Sequence, residues 1–295
     1  MDSHHLPTAT GSKLAAIRRR MFETFFRLAA SGLLPRTIFA KSLPAAKAPR
    51  KCKPLQLEIV SHCWQYSWLL MFQLSSLVLH RWTNVHVTMT VCYSPEDEPT
   101  AQTLAFFEKQ KVPNLRWNWL PFSKENLFRR AIGRNKAALA TEADWVWFTD
   151  CDQVFHRGCI EALAVILMQR EELLLFPRIV GCTPPLSFND SFFQKVGKNP
   201  TILDIDPSEF QPQTHTRAIG ALQILRGDAA RAMGYCRDIK FYQEPRERWL
   251  KCYEDRTFRW LVGTQGTAID VPGIYRIEHS TKGRKGHAPP AARGL

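Results

Sequence analysis

Two carboxylates one residue apart, Asp150 and Asp152, follow the apolar run Trp145-Val146-Trp147-Phe148 in a chain of 295 residues. On a strand, positions two apart project to the same side. Both acids can therefore turn oxygens toward one hard cation while Cys151 faces away, which is how a divalent ion is held beside a diphosphate. An Asp-x-Asp triplet also arises by chance wherever a strand ends at a solvated turn. What gives this one weight is the segment before it, Gly133-Arg134-Asn135-Lys136-Ala137-Ala138-Leu139-Ala140, a short helix of small residues joined to the strand by one tight connection.

The elements that must position these residues alternate. Leu55–Ser61, Val85–Tyr93, Leu115–Leu120 and Trp145–Phe148 read as strands, separated by helices over Trp64–His80, Thr100–Lys109 and Lys124–Thr141. Such alternation predicts a mainly parallel sheet, with ligands at the carboxyl ends of its strands. Further on, Cys159–Gln169, Asp228–Tyr235 and Cys252–Val262 read as helices. Glu172–Val180, Gly220–Leu225 and Ala268–Ile277 read as strands. Residues 181–217 lack periodicity and are expected to form a functional loop on the acceptor side.

Residues 133–152 resemble the core of the GT-A nucleotide-sugar glycosyltransferases, in which an Arg-Asn-x-Gly/Ala-x-x-x-Ala helix leads into the Asp-x-Asp strand. The likeness extends with gaps from Leu55 to His279 and is to the inverting kind related to family two. It implies a GT-A fold: α/β, Rossmann-like, with a mainly parallel mixed central sheet flanked by helices. It also implies Mn²⁺ or Mg²⁺ held by Asp150, Asp152 and His279 against the donor diphosphate, since oxygen ligands suit those ions. On the donor side it places Ser61, Arg134, Asn135 and Glu96, the last because Ser94-Pro95-Glu96-Asp97 replaces the family's usual acidic loop. Gly220, Ala221, Leu222 and Gln223 resemble the strand lining the acceptor pocket, with Gly234-Tyr235 following as the family predicts. Tyr253-Glu254-Asp255-Arg256 matches the Glu-Asp pair that supplies the base, Asp255, with Glu254 beside it. A helix start favours acids through capping and the macrodipole as well. The Gln-x-x-Arg-Trp motif of processive synthases is absent, so a single transfer is expected, from a UDP- or GDP-sugar to a saccharide or lipid-linked acceptor.

The net charge is +13, but residues 1–53 hold eleven Lys/Arg against Asp2 and Glu23, leaving only +4 elsewhere. Charge confined to one arm fits an anionic membrane surface better than nucleic acid. Residues 13–30 form a basic amphipathic helix with Leu14, Ile17, Met21, Phe25 and Leu28 on one face, which either lies on such a surface or packs on the domain. The expected organisation is this helix and a Pro/Ala-rich linker over 1–54, the catalytic domain over 55–280, and a basic tail over 281–295. Eight cysteines without a Cys-x-x-Cys pair argue against disulfides and structural zinc. No cleavable signal peptide opens the chain, and the apolar stretch Trp64–Leu79 is interrupted by Gln65, Ser67, Gln73, Ser75 and Ser76, so a cytoplasmic, at most peripherally membrane-bound protein is expected. Two rivals stand beside the transferase. Asp150 and Asp152 also fit the loop of haloacid-dehalogenase-like phosphatases, although that loop normally follows the first strand. The second rival is a non-catalytic, membrane-binding protein with a degenerate GT-A fold.

Overall fold

The computed structural model describes residues 9–39, 43, 54–187, 189–197, 199–248 and 253–279. The basic tail over 281–295 and most of the linker lie outside them. Four strands, β1 (Leu55–His62), β2 (Val85–Tyr93), β3 (Leu115–Pro121) and β4 (Trp145–Phe148), form the parallel half of the main sheet. They pair from Leu55↔Val85 to His62↔Cys92, from Val87↔Leu115 to Tyr93↔Pro121, and from Leu57↔Trp145 to Val60↔Phe148. β1 and β4 are buried on both faces, and strands covered on both sides read as near-continuous apolar runs.

A second sheet flanks the first and is built from β5 (Gln153–Phe155), β7 (Ile179–Cys182), β8 (Gln211–Thr214) and β11 (Ile274–Arg276). The main sheet is completed by β6 (Leu174–Pro177), β9 (Gln223–Arg226) and β10 (Thr267–Ile269) in the order β10-β6-β9-β4-β1-β2-β3. β9 runs antiparallel to β4, Phe148 opposite Gln223. Two predicted strands are each split between the sheets. Glu172–Val180 divides at Pro177, which cannot donate to a ladder, and Arg178 turns aside to bond Ile269 O at 2.9 Å. Ala268–Ile277 divides at Val271-Pro272-Gly273, where Gly273 takes φ +74°.

The helices are α1 (Ala9–Leu28), α2 (Ser67–Leu79), α3 (Glu98–Glu108), α4 (Lys124–Leu127), α5 (Arg130–Ala140), α6 (Cys159–Leu167), α7 (Gly227–Met233), α8 (Lys240–Gln243) and α9 (Glu254–Val262). The predicted helix over Lys124–Thr141 is broken, because Arg129 leaves helical geometry at φ −106°, ψ 89°. Its guanidinium is buried, 4.8 Å from the Phe241 ring and 5.5 Å from the Tyr242 ring, and donates to Glu244 O at 3.4 Å. Tertiary burial of one cation thus overrides a continuous helical pattern and restarts the helix at Arg130.

The N-terminal helix packs on the domain, but not through its predicted apolar face. Phe26 and Ala29 are buried, Phe22 and Phe26 stack near Phe241, and Glu23 pairs with Arg246 at 3.0 Å. The segment after it is held as well, with Trp260 donating to Leu34 O at 3.1 Å and Arg36 to Val262 O at 3.0 Å. Left outward are Ile17, Met21 and Leu28, 59%, 67% and 52% exposed. No helix among the described residues is long and apolar enough to cross a membrane.

Candidate active site

β2 and β3 lie on one side of β1 and β4 lies on the other, so the chain reverses its direction of winding between β1 and β4. In open α/β sheets, ligands bind outside the carboxyl ends at such a switch point. Here those ends carry Ser61 and His62 from β1 and Thr149-Asp150 just past β4, with Thr149 N still bonded to Val60 O at 2.9 Å. Ser61 is buried and its hydroxyl has no partner. His62 is buried against Gly133 of α5, where a Cβ would overlap its Nε2. Burial first, then the charges of Arg134 and Arg130, push its ionisation well below the usual histidine range, so the imidazole is neutral near pH 7.

The carboxylate pair does not lie on a strand. β4 ends at Phe148, and Cys151-Asp152 form a turn into β5, with Gln153 N bonding Asp150 O at 3.3 Å. The turn, rather than strand alternation, directs the two acids. Cys151 does face inward, toward Cys63; that hydrogen bond, followed by burial, pushes its thiol ionisation well up. Asp150 Oδ1 accepts from Arg130 Nη1 at 2.8 Å and Arg134 Nη2 at 3.3 Å. Burial raises the Asp150 carboxyl, but Arg130, Arg134 and Arg276 outweigh it and hold it down at about 2. Asp152 Oδ2 accepts from Arg276 Nε at 3.1 Å, while its Oδ1 is buried with no partner.

Three arginines therefore converge on two acids. Two of them, Arg130 and Arg276, were not singled out from the sequence. Arg130 stands four residues before Arg134 on one helix face, a signal that was present. Arg134, expected to touch the donor, is fully buried. Its Nη1 donates to Tyr235 Oη at 3.0 Å and its Nη2 to Thr149 O at 3.3 Å. Arg134 thus meets the acid pair through Asp150, and the partly exposed arginines are Arg130 and Arg276. Asn135 likewise faces inward, accepting from Tyr235 N at 3.0 Å and donating to Gln243 at 3.2 Å. Glu96 is exposed and lies 3.5 Å from Lys124, while the adjacent Asp97 is buried and accepts from Thr100 at 2.6 Å. Neither carboxylate is aimed at the switch point by these contacts.

Opposite the pair lies the start of α9. Glu254 is buried with Oε1 3.5 Å from Arg130 Nε. Asp255 is 29% exposed, and its Oδ2 lies 3.4 Å from Arg259 Nη1. It makes no capping bond, since the cap position belongs to Tyr253. Gly220, Ala221 and Leu222 form a turn before β9, not part of a strand, with Leu222 N bonding Ile219 O at 2.8 Å. A Cβ on Gly220 would stand 3.5 Å from Asp255 Cβ and 3.9 Å from Arg134 Nη1. Gln223 joins the two halves: it accepts from Tyr235 Oη at 2.8 Å and donates to Asp255 O at 3.2 Å.

His279 follows β11 and is buried. Its ring packs against Tyr66 and Trp68, with centroids 4.9 and 5.7 Å away. Asp150, Asp152 and His279 do not form a group of donor atoms within 4.8 Å of one another among the described residues.

Among solved structures, residues 1–349 of S. aureus TarS in complex with UDP-GlcNAc share this architecture, with a TM-score of 0.51 and 14% identity over 82% of this chain and 62% of that one. The fold is GT-A. The same TarS fragment in complex with UDP gives a TM-score of 0.49 at 14% identity, over 76% of this chain and 60% of that one. This chain thus spans less than two thirds of the TarS fragment's length. No family model and no curated protein matches it.

Proposed function

We propose that this GT-A chain transfers a sugar from a nucleoside-diphosphate donor to a hydroxyl acceptor, once per encounter and with inversion at the anomeric carbon. The observation that carries the reading is the switch-point cluster itself. Asp150 and Asp152 meet Arg130 and Arg276 at the carboxyl end of β4, and the partly exposed Asp255 lies beside Gly220. TarS, of the same fold, binds UDP-GlcNAc, which favours a UDP-sugar over a GDP-sugar donor. Saccharide and lipid-linked hydroxyls are the acceptor classes.

The residues present fit a divalent ion. Each acid gives one oxygen to arginine, and Asp152 Oδ1 is left buried and unpaired. Oxygen donors of this kind would hold Mg²⁺ or Mn²⁺ through Asp150 and Asp152, with His279, packed edge-on against Trp68, as the third ligand that the family resemblance implies. When bound, such an ion neutralises charge on the departing nucleoside diphosphate. Arg130 and Arg276 add fixed positive charge on the same side, where pre-oriented donors are most effective. Glu254 keeps Arg130 aimed, and Arg134, locked on Tyr235, keeps Asp150 ionised and oriented. Asp255 takes the acceptor proton as the hydroxyl oxygen attacks opposite the leaving group. The bare backbone of Gly220 leaves room for that acceptor.

The phosphatase alternative separates cleanly in one assay. A panel of UDP-, GDP-, CMP- and dTDP-sugars with Mn²⁺ and saccharide acceptors is expected to yield nucleoside diphosphate in one nucleotide class only. Orthophosphate from simple monoesters, with no nucleoside diphosphate from any donor, would reverse the assignment.

The outward stripe of Ile17, Met21 and Leu28, with Arg18, Arg20 and Arg27 exposed on the same helix, fits an anionic bilayer: apolar side chains enter the headgroup boundary and each Arg adds about 1 kcal/mol near the surface. Removing α1 would also strip Phe26 from the core, so surface substitutions are the better probe. The chain is expected to sediment with phosphatidylserine vesicles and not with phosphatidylcholine alone. Ile17→Asp with Met21→Asp should abolish that sedimentation without changing the melting temperature; equal sedimentation of both proteins would contradict the membrane role.

A further inference from the structure

A second constellation lies at the far end of β5. His80 ends α2, His156 follows β5, and Asp204 comes from the loop between β7 and β8. Their donor atoms all lie within 4.8 Å of one another. The imidazoles meet edge to face with centroids 4.4 Å apart. Asp204 Oδ1 is 3.7 Å from His80 Nε2 and 4.0 Å from His156 Nε2. Those separations are too long for hydrogen bonds. They are close to the roughly 3.3 Å between ligands that share a tetrahedral zinc ion with bonds of about 2.0–2.1 Å. His80 Nε2 is buried and makes no hydrogen bond, although Asp204 Oδ1 lies 3.7 Å away.

We propose that His80, His156 and Asp204 bind a divalent transition-metal ion, Zn²⁺ by preference, separately from the carboxylate pair of the catalytic site. Two imidazoles and one carboxylate suit Zn²⁺, whereas Mg²⁺ and Mn²⁺ favour all-oxygen sets. The scaffold beneath is firm. Leu203 N bonds Ser75 Oγ at 2.9 Å and Phe155 N bonds Ser76 Oγ at 3.1 Å, tying the loop and β5 to the last turns of α2. Leu203 and Ile205, on either side of Asp204, are buried. Asp204 itself is 53% exposed, so a fourth position faces solvent. From Asp152 to His156 the chain advances four residues, at most about 13 Å of extended strand. The ion would clamp the loop over 199–206, within the irregular segment assigned to the acceptor side, against the α2–β5 frame. This inference does not depend on the glycosyl-transfer reading.

The test is calorimetric titration of the full chain with ZnCl₂ after chelator treatment, alongside His80→Ala, His156→Gln, Asp204→Asn and Asp152→Asn. The expected result is one Zn²⁺ equivalent that persists in Asp152→Asn. In either histidine variant it is lost or weakened about 100-fold or more, beyond what removal of a supporting group alone typically costs. Zn²⁺ should also slow proteolysis within residues 199–206 in the parent chain and not in His156→Gln. Since His156 is partly exposed, that variant keeps the test valid if His80→Ala does not fold. Unchanged stoichiometry in both histidine variants, or loss in Asp152→Asn alone, would overturn the proposal.

Discussion

Asp152→Asn is expected to lower transfer by about 10²–10³-fold, the scale of losing one fixed contributor to transition-state charge stabilisation. The fold should survive. Asn keeps the volume, and the backbone bond from Ile277 N to Asp152 O at 2.9 Å is untouched. Arg276 keeps Glu278 at 3.7 Å, so the half-buried guanidinium is not left without a carboxylate, the situation that makes breaking such pairs costly. What disappears is the second charged oxygen beside Oδ1, the buried acceptor with no partner in the protein. The defect should appear in donor affinity as well as in turnover, and added Mn²⁺ should restore little. Turnover with a UDP-sugar, the melting temperature and donor affinity measured together check this. Unchanged kinetics in a folded variant would remove Asp152 from the site. Asp150, held at about 2, is ionised throughout the neutral range, so any acid limb in the rate above about pH 4 must come from another group.

Asp255→Asn is expected to lower kcat by about 10²–10⁴-fold, the usual contribution of a positioned general base, and to leave donor binding intact. That contrast would separate the two proposed roles, Asp152 on the donor diphosphate and Asp255 on the acceptor hydroxyl. A purely structural role for Asp255 at the start of α9 would rest on the macrodipole, worth about 0.3–1 kcal/mol. The amide would then cost a few degrees of melting temperature and no turnover. Because Asp255 makes no capping bond and faces Gly220, the kinetic effect should dominate. A variant with parental kcat and a lowered melting temperature would show the residue to be structural.

The parallel half of the sheet was legible because its strands carry a strong local signal. Val85–Tyr93 and Trp145–Phe148 match their predicted bounds, and Leu55–Ser61 falls one residue short of β1. The Asp-x-Asp turn and the Glu254-Asp255 helix start were found for the same reason, as short patterns contiguous in sequence. What escaped was set by tertiary contacts. Arg129 breaks a continuous helix pattern because two aromatic rings bury it. The split of Glu172–Val180 between two sheets follows from β11 lying beside β7, which no local periodicity encodes. Arg276 sat inside a motif read for its histidine, yet it is the arginine that meets Asp152. His80, His156 and Asp204 come from three distant segments and had no common signature. On α1, the predicted apolar face was real, but the domain is held by its neighbour, Phe22, Phe26 and Ala29, so packing and outward exposure both occur on one helix.

Diffraction from crystals soaked with Mn²⁺ and a non-transferable UDP-sugar, collected at the manganese absorption edge, addresses the central claim most directly. The account predicts an anomalous peak in contact with Asp150 and Asp152, the diphosphate beside Arg130 and Arg276, and the sugar's anomeric carbon turned toward Asp255. A donor bound elsewhere, with both acids still engaged only by their arginines and no metal peak between them, would contradict it.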